Sequence, residues 1–405
     1  MNCKTQKPEF RMIECSISNL GKVVTGKTPS TKNSLFWEGD IPFITPKDIQ
    51  KTKHIFDTER NLTFEGMKSV KNCVLPENAI CVSCIGNIGY VAKTTSPAVT
   101  NQQINSIIVN DANNSDYVYY LMRSLWQRFK NYEGQSTTLS ILNKRQFSEI
   151  KILIHEDKAV QTKIANVLSS LDNKIELNEK INQNLEAQAQ AIFKSWFVDF
   201  EPLKNGKFID SELGKIPESW KVKTLANIIS LKKGKKPKNL SGVQYNTYMP
   251  YLTIDALSGG NPFFCEREKM LLASEKDILL VMDGASSGTI YYGLNGVVAS
   301  TIIKLDFFDL KFQEIIFAFL VYNQSDLRLH TTGSAIPHLD KEHLLSYKIA
   351  LPTDKKALEY ITLLLLKLRE KIICNKTESR RLAQLRDTLL PKLMSGEIDV
   401  SDVAV

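Results

Sequence analysis

From Ile164 onward, apolar and small residues recur in steps of four and three: Ile164, Leu168, Leu171, Ile175, Asn178, Asn182, Leu185, Ala189, Ile192 and Trp196. That spacing is the a/d seam of a coiled coil and predicts one long helix over 157–200. A shift of 197 residues finds the seam again at Ile361, Leu365, Leu368, Ile372, Asn375, Ser379, Leu382, Arg386, Leu389 and Leu393, predicting a second helix over 355–396. Neither stretch holds an internal Gly or Pro before Pro391. At ~1.5 Å per residue each makes a rod of roughly 60 Å, and an amphipathic helix that long needs a partner. The matching helix is the obvious one, and the pair is expected to pack antiparallel. Asn178 and Asn375 share a seam position, where buried asparagine costs stability but fixes register.

Outside the helices the pattern shortens. Apolar runs broken by Gly and Asn, as in "AICVSCIGNIGYVAKTT" and "DILLVMDGASSGTIYYGLNGVVASTIIKLD", predict strands of irregular β-rich α+β units. Residues 115–132 and 310–330 each predict one helix. Residues 201–220 carry Gly and Pro without periodicity and predict a linker. The expected division is a globular unit at 1–156, a helix at 157–200, the linker at 201–220, a second unit at 221–354, a helix at 355–396 and a tail at 397–405.

The globular units also repeat. "GKTP" (26–29) matches "GKKP" (234–237), and "IPFIT" (41–45) matches "MPYLT" (249–253), both at an offset of 208. "PENAICVSCIG" (76–86) matches "SEKDILLVMDG" (274–284), and "GQS" (134–136) matches "TGS" (332–334), at 198. The first copy therefore holds one insertion between about residues 50 and 75. The expected fold class is α+β: two globular β-rich domains separated by two long antiparallel coiled-coil helices, with an internal pseudo-twofold repeat.

Composition narrows the function. A hydrophobic share of 43% and a charged share of 24% exclude a disordered or fibrous chain. The apolar stretches 315–322 and 363–366 fall far short of the ~20 residues a bilayer requires, and the first residues lack the apolar run of a signal peptide, so a cytoplasmic protein is expected. Seven scattered cysteines, including Cys81-Val-Ser-Cys84, argue against a disulfide framework and predict buried thiols. The net charge of +8 favours polyanions, and Lys232, Lys233, Lys235, Lys236 and Lys238 concentrate it within "LKKGKKPK".

Several motifs suggest catalysis and fail on inspection. "GKVVTGKTPS" places Gly21, then four residues, then Gly26-Lys27-Thr28, as in a phosphate-cradling loop. The second copy has Ile229 for Gly21 and Lys236 for Thr28, keeping only Gly-Lys-x-Pro. The candidate magnesium-binding acid, Asp283, lies in the other copy, where Ile85 is its equivalent. The match reads as a repeated turn. "NPFF" (261–264) lacks the second proline of the adenine loop of amino-methyltransferases and has no counterpart in the first copy. His338 and His343 lie near Asp340 and Glu342 at a spacing that suits no familiar metal-binding helix, so capping or solvated roles are expected and no metal site is assigned.

With these residues in view, the chain resembles, over essentially its whole length, the specificity (S) subunit of type I restriction-modification enzymes. "IANVLSSLDNKIELNEKINQNLEAQAQAIFKSWFVDFEP" (164–202) looks like that family's central conserved region, and "GKIPESWKVKTLANI" (214–228) like the beginning of a second target-recognition domain. "GSAIPHLDKEHLLSYKIALP" (333–352) and "LRDTLLPKLMSGEI" (385–398) are similar to the end of that domain and the tail of the distal conserved helix. The first copy departs with "GQSTTLSILNKRQFSEIKILIH", which has no His-Leu pair.

The resemblance implies a non-catalytic DNA-binding subunit. Each target-recognition domain would read half of a bipartite site in double-stranded DNA, and the helices would set the spacer. S-adenosylmethionine, ATP and magnesium would belong to partner modification and restriction subunits. Lys27 and the lysine cluster are the expected phosphate contacts. Asn87, Gln102, Gln103, Asn105, Ser286, Ser287 and Ser300 are the candidates near bases, because amides and hydroxyls read base edges. Phe193, Trp196, Phe197, Leu393 and Met394 are the candidate contacts to modification subunits, with core packing the competing role for Phe193 and Trp196. Two other classes compete: a structural coiled-coil adaptor indifferent to DNA sequence, and a stand-alone ATPase or adenine methyltransferase. Whole globular units repeated with different loop residues argue against the adaptor, which needs only rods.

Overall fold

The structure, a computed structural model, describes residues 11–49, 53–131, 141–333 and 337–400. "GQS" at 134–136 and the "SAI" of 334–336 lie outside the described residues, as do Cys3 and the end of the tail. The chain forms two compact units, Met1–Leu177 with Glu378–Val405, and Asn178–Thr377.

In the first unit, Met12–Ser16 pairs antiparallel with Lys151–His155. A five-stranded sheet runs in the order Gly21–Thr25, Ile104–Val109, Ile80–Ser83, Val91–Thr94, His54–Ile55. A second sheet runs Arg60–Leu62, Trp37–Ile44, Ala98–Thr100, Val74–Leu75. The second unit repeats this scheme. Trp220–Thr224 pairs with Lys348–Pro352. The sheets run Ile229–Lys233, Ile302–Phe307, Ile278–Val281, Ile290–Tyr292 and Phe264–Glu266, Tyr248–Leu252, Gly296–Val298, Leu272–Ala273. Among the described residues the strand His54–Ile55 has no counterpart in the second copy, and it lies inside the insertion that the change of offset locates.

The central strands explain the uninterrupted apolar runs. Every residue of Ile80–Ser83 and of Ile278–Val281 is buried, and alternate side chains feed two different cores. Ile80 and Val82 pack with Tyr117, Tyr120 and Phe129, whereas Cys81 packs with Val24 and Ile44. Ile278 and Leu280 join Ile315 and Leu320, while Leu279 and Val281 join Tyr251 and Val298. Burial pushes the Cys81 and Cys84 thiols up to about 12, so both stay protonated, as inert core thiols do.

The Gly-Lys-x-Pro repeat has a steric cause. A Cβ on Gly26 would lie 2.1 Å from the Asn101 carbonyl oxygen, and one on Gly234 would lie 2.2 Å from that of Ala299, its repeat equivalent. Both glycines donate to the strand beside them, Gly26 to Ile104 and Gly234 to Ile302. Gly21 lies within the strand Gly21–Thr25, against the Ile108 backbone. Among the described residues no helix opens at Gly26-Lys27-Thr28, so the phosphate-loop geometry is not formed.

Two 40-residue helices, Lys158–Phe197 and Lys355–Met394, carry the predicted seams, and Pro391 falls in the last turn of the second. Within each unit their segments run antiparallel. In the first unit Lys174 meets Glu378 and Arg386 meets Asp172; in the second, Asn182 meets Asn375 and Trp196 meets Tyr360. The seam asparagines are buried, with Asn375 Nδ2 donating to Asn182 Oδ1 at 2.9 Å and Asn178 Nδ2 to the Asn375 carbonyl at 3.5 Å.

Two expectations need correction. The helices predicted over 115–132 and 310–330 each break in two, at the equivalent residues Leu125 and Asn323. The break turns Phe129 and Leu327 into the core, and the Asn323 side chain bonds back to the Phe319 carbonyl at the break. The stretch 201–220 is not featureless: Phe208–Ser211 and Gly214–Pro217 form a hairpin, anchored by Phe200 between Phe208 and Trp220.

Each body is fixed to its helix segments through buried charge. Asp172 accepts from the Tyr120 hydroxyl and from Arg386 Nη1, both at 2.6 Å. In the second unit Arg369, equivalent to Asp172, donates to Glu314 while its guanidinium lies 4.2 Å from the Tyr292 ring centroid. Burial pushes the Glu314 carboxyl up, and Arg369 pulls it back. Replacing Arg369 by Leu leaves Glu314 buried without its cation and should cost about 3–5 kcal/mol in urea unfolding, whereas Glu314→Leu with Arg369→Leu should recover most of the loss.

His155 is fully buried and donates through Nε2 to the Leu393 carbonyl at 3.1 Å. Burial holds its pKa below the usual value, so the folded chain binds this proton less readily than the unfolded one. Its contribution to stability is complete above the unfolded value of about 6.5 and is lost as the pH falls toward the depressed folded value. Unfolding measured from pH 7 to 5 should show stability falling in the wild type, with a shallower fall in His155→Gln.

Candidate nucleic-acid interface

In each unit hydrogen bonds tie together several loops that carry some of the residues singled out from the sequence. In the first unit, Cys84 donates to the Gln103 carbonyl, Leu142 donates to the Cys84 carbonyl, and Thr28 Oγ1 donates to Gln102 Oε1, each at 2.8 Å. These bonds tie the loop after Gly26, the turn at 84–89, the loop at 100–103 and the residues around Ile141 into one surface. Lys27, Asn87 and Gln102 are exposed on it, and Gln103 is half-buried.

The second unit builds the same surface from equivalent bonds. Met282 donates to the Thr301 carbonyl and Leu339 to the Met282 carbonyl, each at 2.8 Å. Lys232, Lys233, Lys235, Lys236 and Lys238 are exposed along the strand end and loop around Gly234, a basic rim, although Lys232 pairs with Asp306 at 2.7 Å and Lys233 with Asp283 at 3.5 Å. Ser286 and Ser300 are on the turn and loop beside them, with the Ser300 N–H bonded to the Tyr251 hydroxyl.

The structure withdraws two candidates from direct readout. Asn105 is 2% exposed, accepts from Thr25 Oγ1 at 2.6 Å and donates to the Leu142 carbonyl at 3.2 Å. Ser287 is 3% exposed and donates to the Met282 carbonyl at 2.8 Å. Both hold the loops from beneath; turns and base contacts call for the same residue types, and only burial separates them.

The apolar helix ends are also corrected. Phe193, Phe197, Leu393 and Met394 are all buried in the cores of their own units. Phe193 stacks on Phe197 at 5.1 Å, Phe197 meets Trp220 at 5.2 Å, and the Leu393 carbonyl is taken by His155. Of the five, Trp196 alone is half-exposed, 6.1 Å from the exposed Tyr360 ring.

On the second surface the structure pairs two residues that no pattern in the sequence joins. Asp283 Oδ1 and His338 Nδ1 lie 2.8 Å apart, and the two residues form an isolated antiparallel bridge. The first unit has the same bridge between Ile85 and Ile141, at the equivalent positions. The backbone is thus common to both surfaces while its side chains are apolar in one and an acid-base pair in the other. The missing His-Leu pair of the first copy changes chemistry, not chain path. Phe264 of "NPFF" lies in a strand paired with Tyr248–Leu252, and the Phe263 carbonyl accepts from Tyr251 N, which accounts for the stretch without a base pocket.

No helix among the described residues is long and apolar enough to cross a membrane. The sequence profile described as the type I restriction modification DNA specificity domain matches twice, at residues 12–187 and 217–381. The chain is 32% identical over 407 residues to the type I restriction enzyme MjaIX specificity subunit of Methanocaldococcus jannaschii, covering 96% of this chain and 93% of that one. It is 33% identical over 174 residues to the HindI specificity subunit of Haemophilus influenzae, covering 42% and 38%. The fold matches the crystal structure of a type I restriction-modification S subunit from M. genitalium with a TM-score of 0.60 at 18% identity, over 96% of this chain and 97% of that one. Two matched domains and near full-length identity place this chain in the family of type I restriction-modification specificity subunits, the non-catalytic DNA-recognition components of those systems.

Proposed function

We propose that the two loop surfaces each read one half of a bipartite, asymmetric DNA target, and that the long helices set the spacer between the halves and dock modification subunits. The observation that carries this reading is the shared bridge with unlike side chains: Ile85 with Ile141 in one unit, Asp283 with His338 in the other. Apolar groups suit a thymine methyl, whereas a carboxylate accepts from the cytosine amino group, so one backbone presents two different readers. Exposed Lys27 and the Lys235, Lys236 and Lys238 rim supply phosphate contacts that position without specifying. For docking, half-exposed Trp196 beside Tyr360 replaces the buried aromatics. Methyl transfer from S-adenosylmethionine, and ATP- and magnesium-dependent work by restriction subunits, belong to the partners, in the cytoplasm where the DNA lies.

The test is methylation-sensitive sequencing of DNA from cells expressing this chain with its candidate modification subunit, against that subunit alone. A split motif with a fixed spacer should appear only when this chain is present; an unchanged pattern returns the adaptor reading. Inserting one heptad at matching seam positions of both helices adds ~10 Å and should lengthen the spacer by about three base pairs while leaving both half-motifs intact.

Removing charge at the rim makes a separate prediction. Lys235→Ala with Lys236→Ala and Lys238→Ala should weaken binding to all sequences alike and reduce the slope of log affinity against log salt by about 0.9 for each phosphate no longer neutralised. Fluorescence anisotropy across a salt series checks it.

A further inference from the structure

In the sequence His343 has a capping or solvated role and no metal is assigned to it. The fold changes its company. Asp326 lies in the first turn of Gln324–Leu329 and His330, four residues on, caps its end, and Lys341–Ser346 brings His343 against both. His343 Nε2 is 3.0 Å from Asp326 Oδ2, His330 Nδ1 is 3.3 Å from Asp326 Oδ1, and the two imidazole rings stack with centroids 4.0 Å apart. One ligand-capable atom from each of the three residues lies within 4.8 Å of the others.

We propose that Asp326, His330 and His343 form a binding site for one borderline divalent cation of the zinc, cobalt or nickel class. Two imidazole nitrogens and one carboxylate oxygen are the donor set such ions prefer, and a fourth position facing solvent leaves room for water. His330 is exposed while Asp326 and His343 are partly covered, so an ion reaches the site without rearrangement of the core. The Tyr347 hydroxyl donates to Asp326 Oδ2 and orients the carboxylate, the outer-shell support that metal ligands need. Without an ion, imidazole N–H groups can donate to this carboxylate. On binding, each ligating nitrogen presents its lone pair, and its proton moves to the other ring nitrogen or to solvent, with no change of oxidation state.

The site has a mechanical consequence. Arg328, on the same helix as Asp326, donates through Nη2 to Thr289 Oγ1 at 2.8 Å, and Gln324 accepts from Ile290 N at 3.2 Å. Both bonds hold the far end of the turn that carries Ser286 and Ser287. The other ligand helix begins just after His338, which pairs with Asp283 on the near end. An ion joining the two helices braces this turn from both sides. The first copy has Arg128, Tyr132 and Gln146 at the equivalent positions, so only the second unit would be braced. The bracing role rests on the reading of that turn as a DNA surface; ion binding does not.

The experiment uses the full-length chain without an affinity tag, stripped with a chelator and titrated with zinc chloride by calorimetry. One equivalent should bind, and His330→Ala and His343→Ala should each weaken it by more than the roughly 10–100-fold typical of losing an outer-shell partner. His330→Gln, which keeps a side-chain hydrogen-bond donor, should lose the ion while retaining the wild-type circular dichroism spectrum. Absence of saturable binding, or binding unchanged in the His330→Ala, His343→Ala double variant, overturns the site. Methylation sequencing of His330→Gln then separates the two claims: relaxed specificity confined to one half-motif supports the brace, whereas an unchanged motif in a variant that has lost the ion overturns the brace and leaves the site standing.

Discussion

A charge buried where a globular body meets a long helix is tolerated only with its partner at hydrogen-bonding distance, and this constraint seats both bodies. In the first unit Asp172 is met by Arg386 and by the Tyr120 hydroxyl; in the second, Arg369 is met by Glu314. Asp172 and Arg369 occupy the same position of the repeat with opposite sign. Apolar packing along the helix is nearly indifferent to small rotations, but a buried ion pair is not, because turning the body leaves a charge desolvated and unmatched. Within each unit the loops therefore inherit a fixed direction relative to the helix segments that carry them.

The loops are built so that their side chains can diverge while the backbone path does not. Gly26 and Gly234 let one strand end press against the next at distances that admit no Cβ. Main-chain bonds from Cys84 to Gln103 and from Met282 to Thr301 then repeat the same chain path in both units. Because these constraints are carried by backbone, Ile85 and Ile141 can stand where Asp283 and His338 stand in the other copy.

The misread residues share a cause. Phe193, Phe197, Leu393 and Met394 sit at helix ends, where a one-dimensional pattern shows an apolar patch but not the body that covers it. Asn105 and Ser287 are polar residues in loops, and their place beneath the surface depends on neighbours 37 and 5 residues away. Asp326, His330 and His343 escaped for the same cause: each looks ordinary in its own stretch, and only the packing of Lys341–Ser346 against the end of Gln324–Leu329 makes them a group. The broken helices at Leu125 and Asn323 are a packing effect as well, since the local pattern is helical on both sides of the break.

The sequence by itself determined the repeat, the two seams with their paired asparagines, the strand-rich units and the basic loop that favours a polyanion. These are properties of periodicity and composition, which local physics writes directly into order along the chain. Tertiary structure decided which of the similar polar and apolar residues face solvent, which loops share a surface, and which charges answer each other across an interface. Those outcomes depend on contacts between residues far apart in the chain, and burial, hydrogen-bond partnership and charge pairing exist only once the chain has closed on itself.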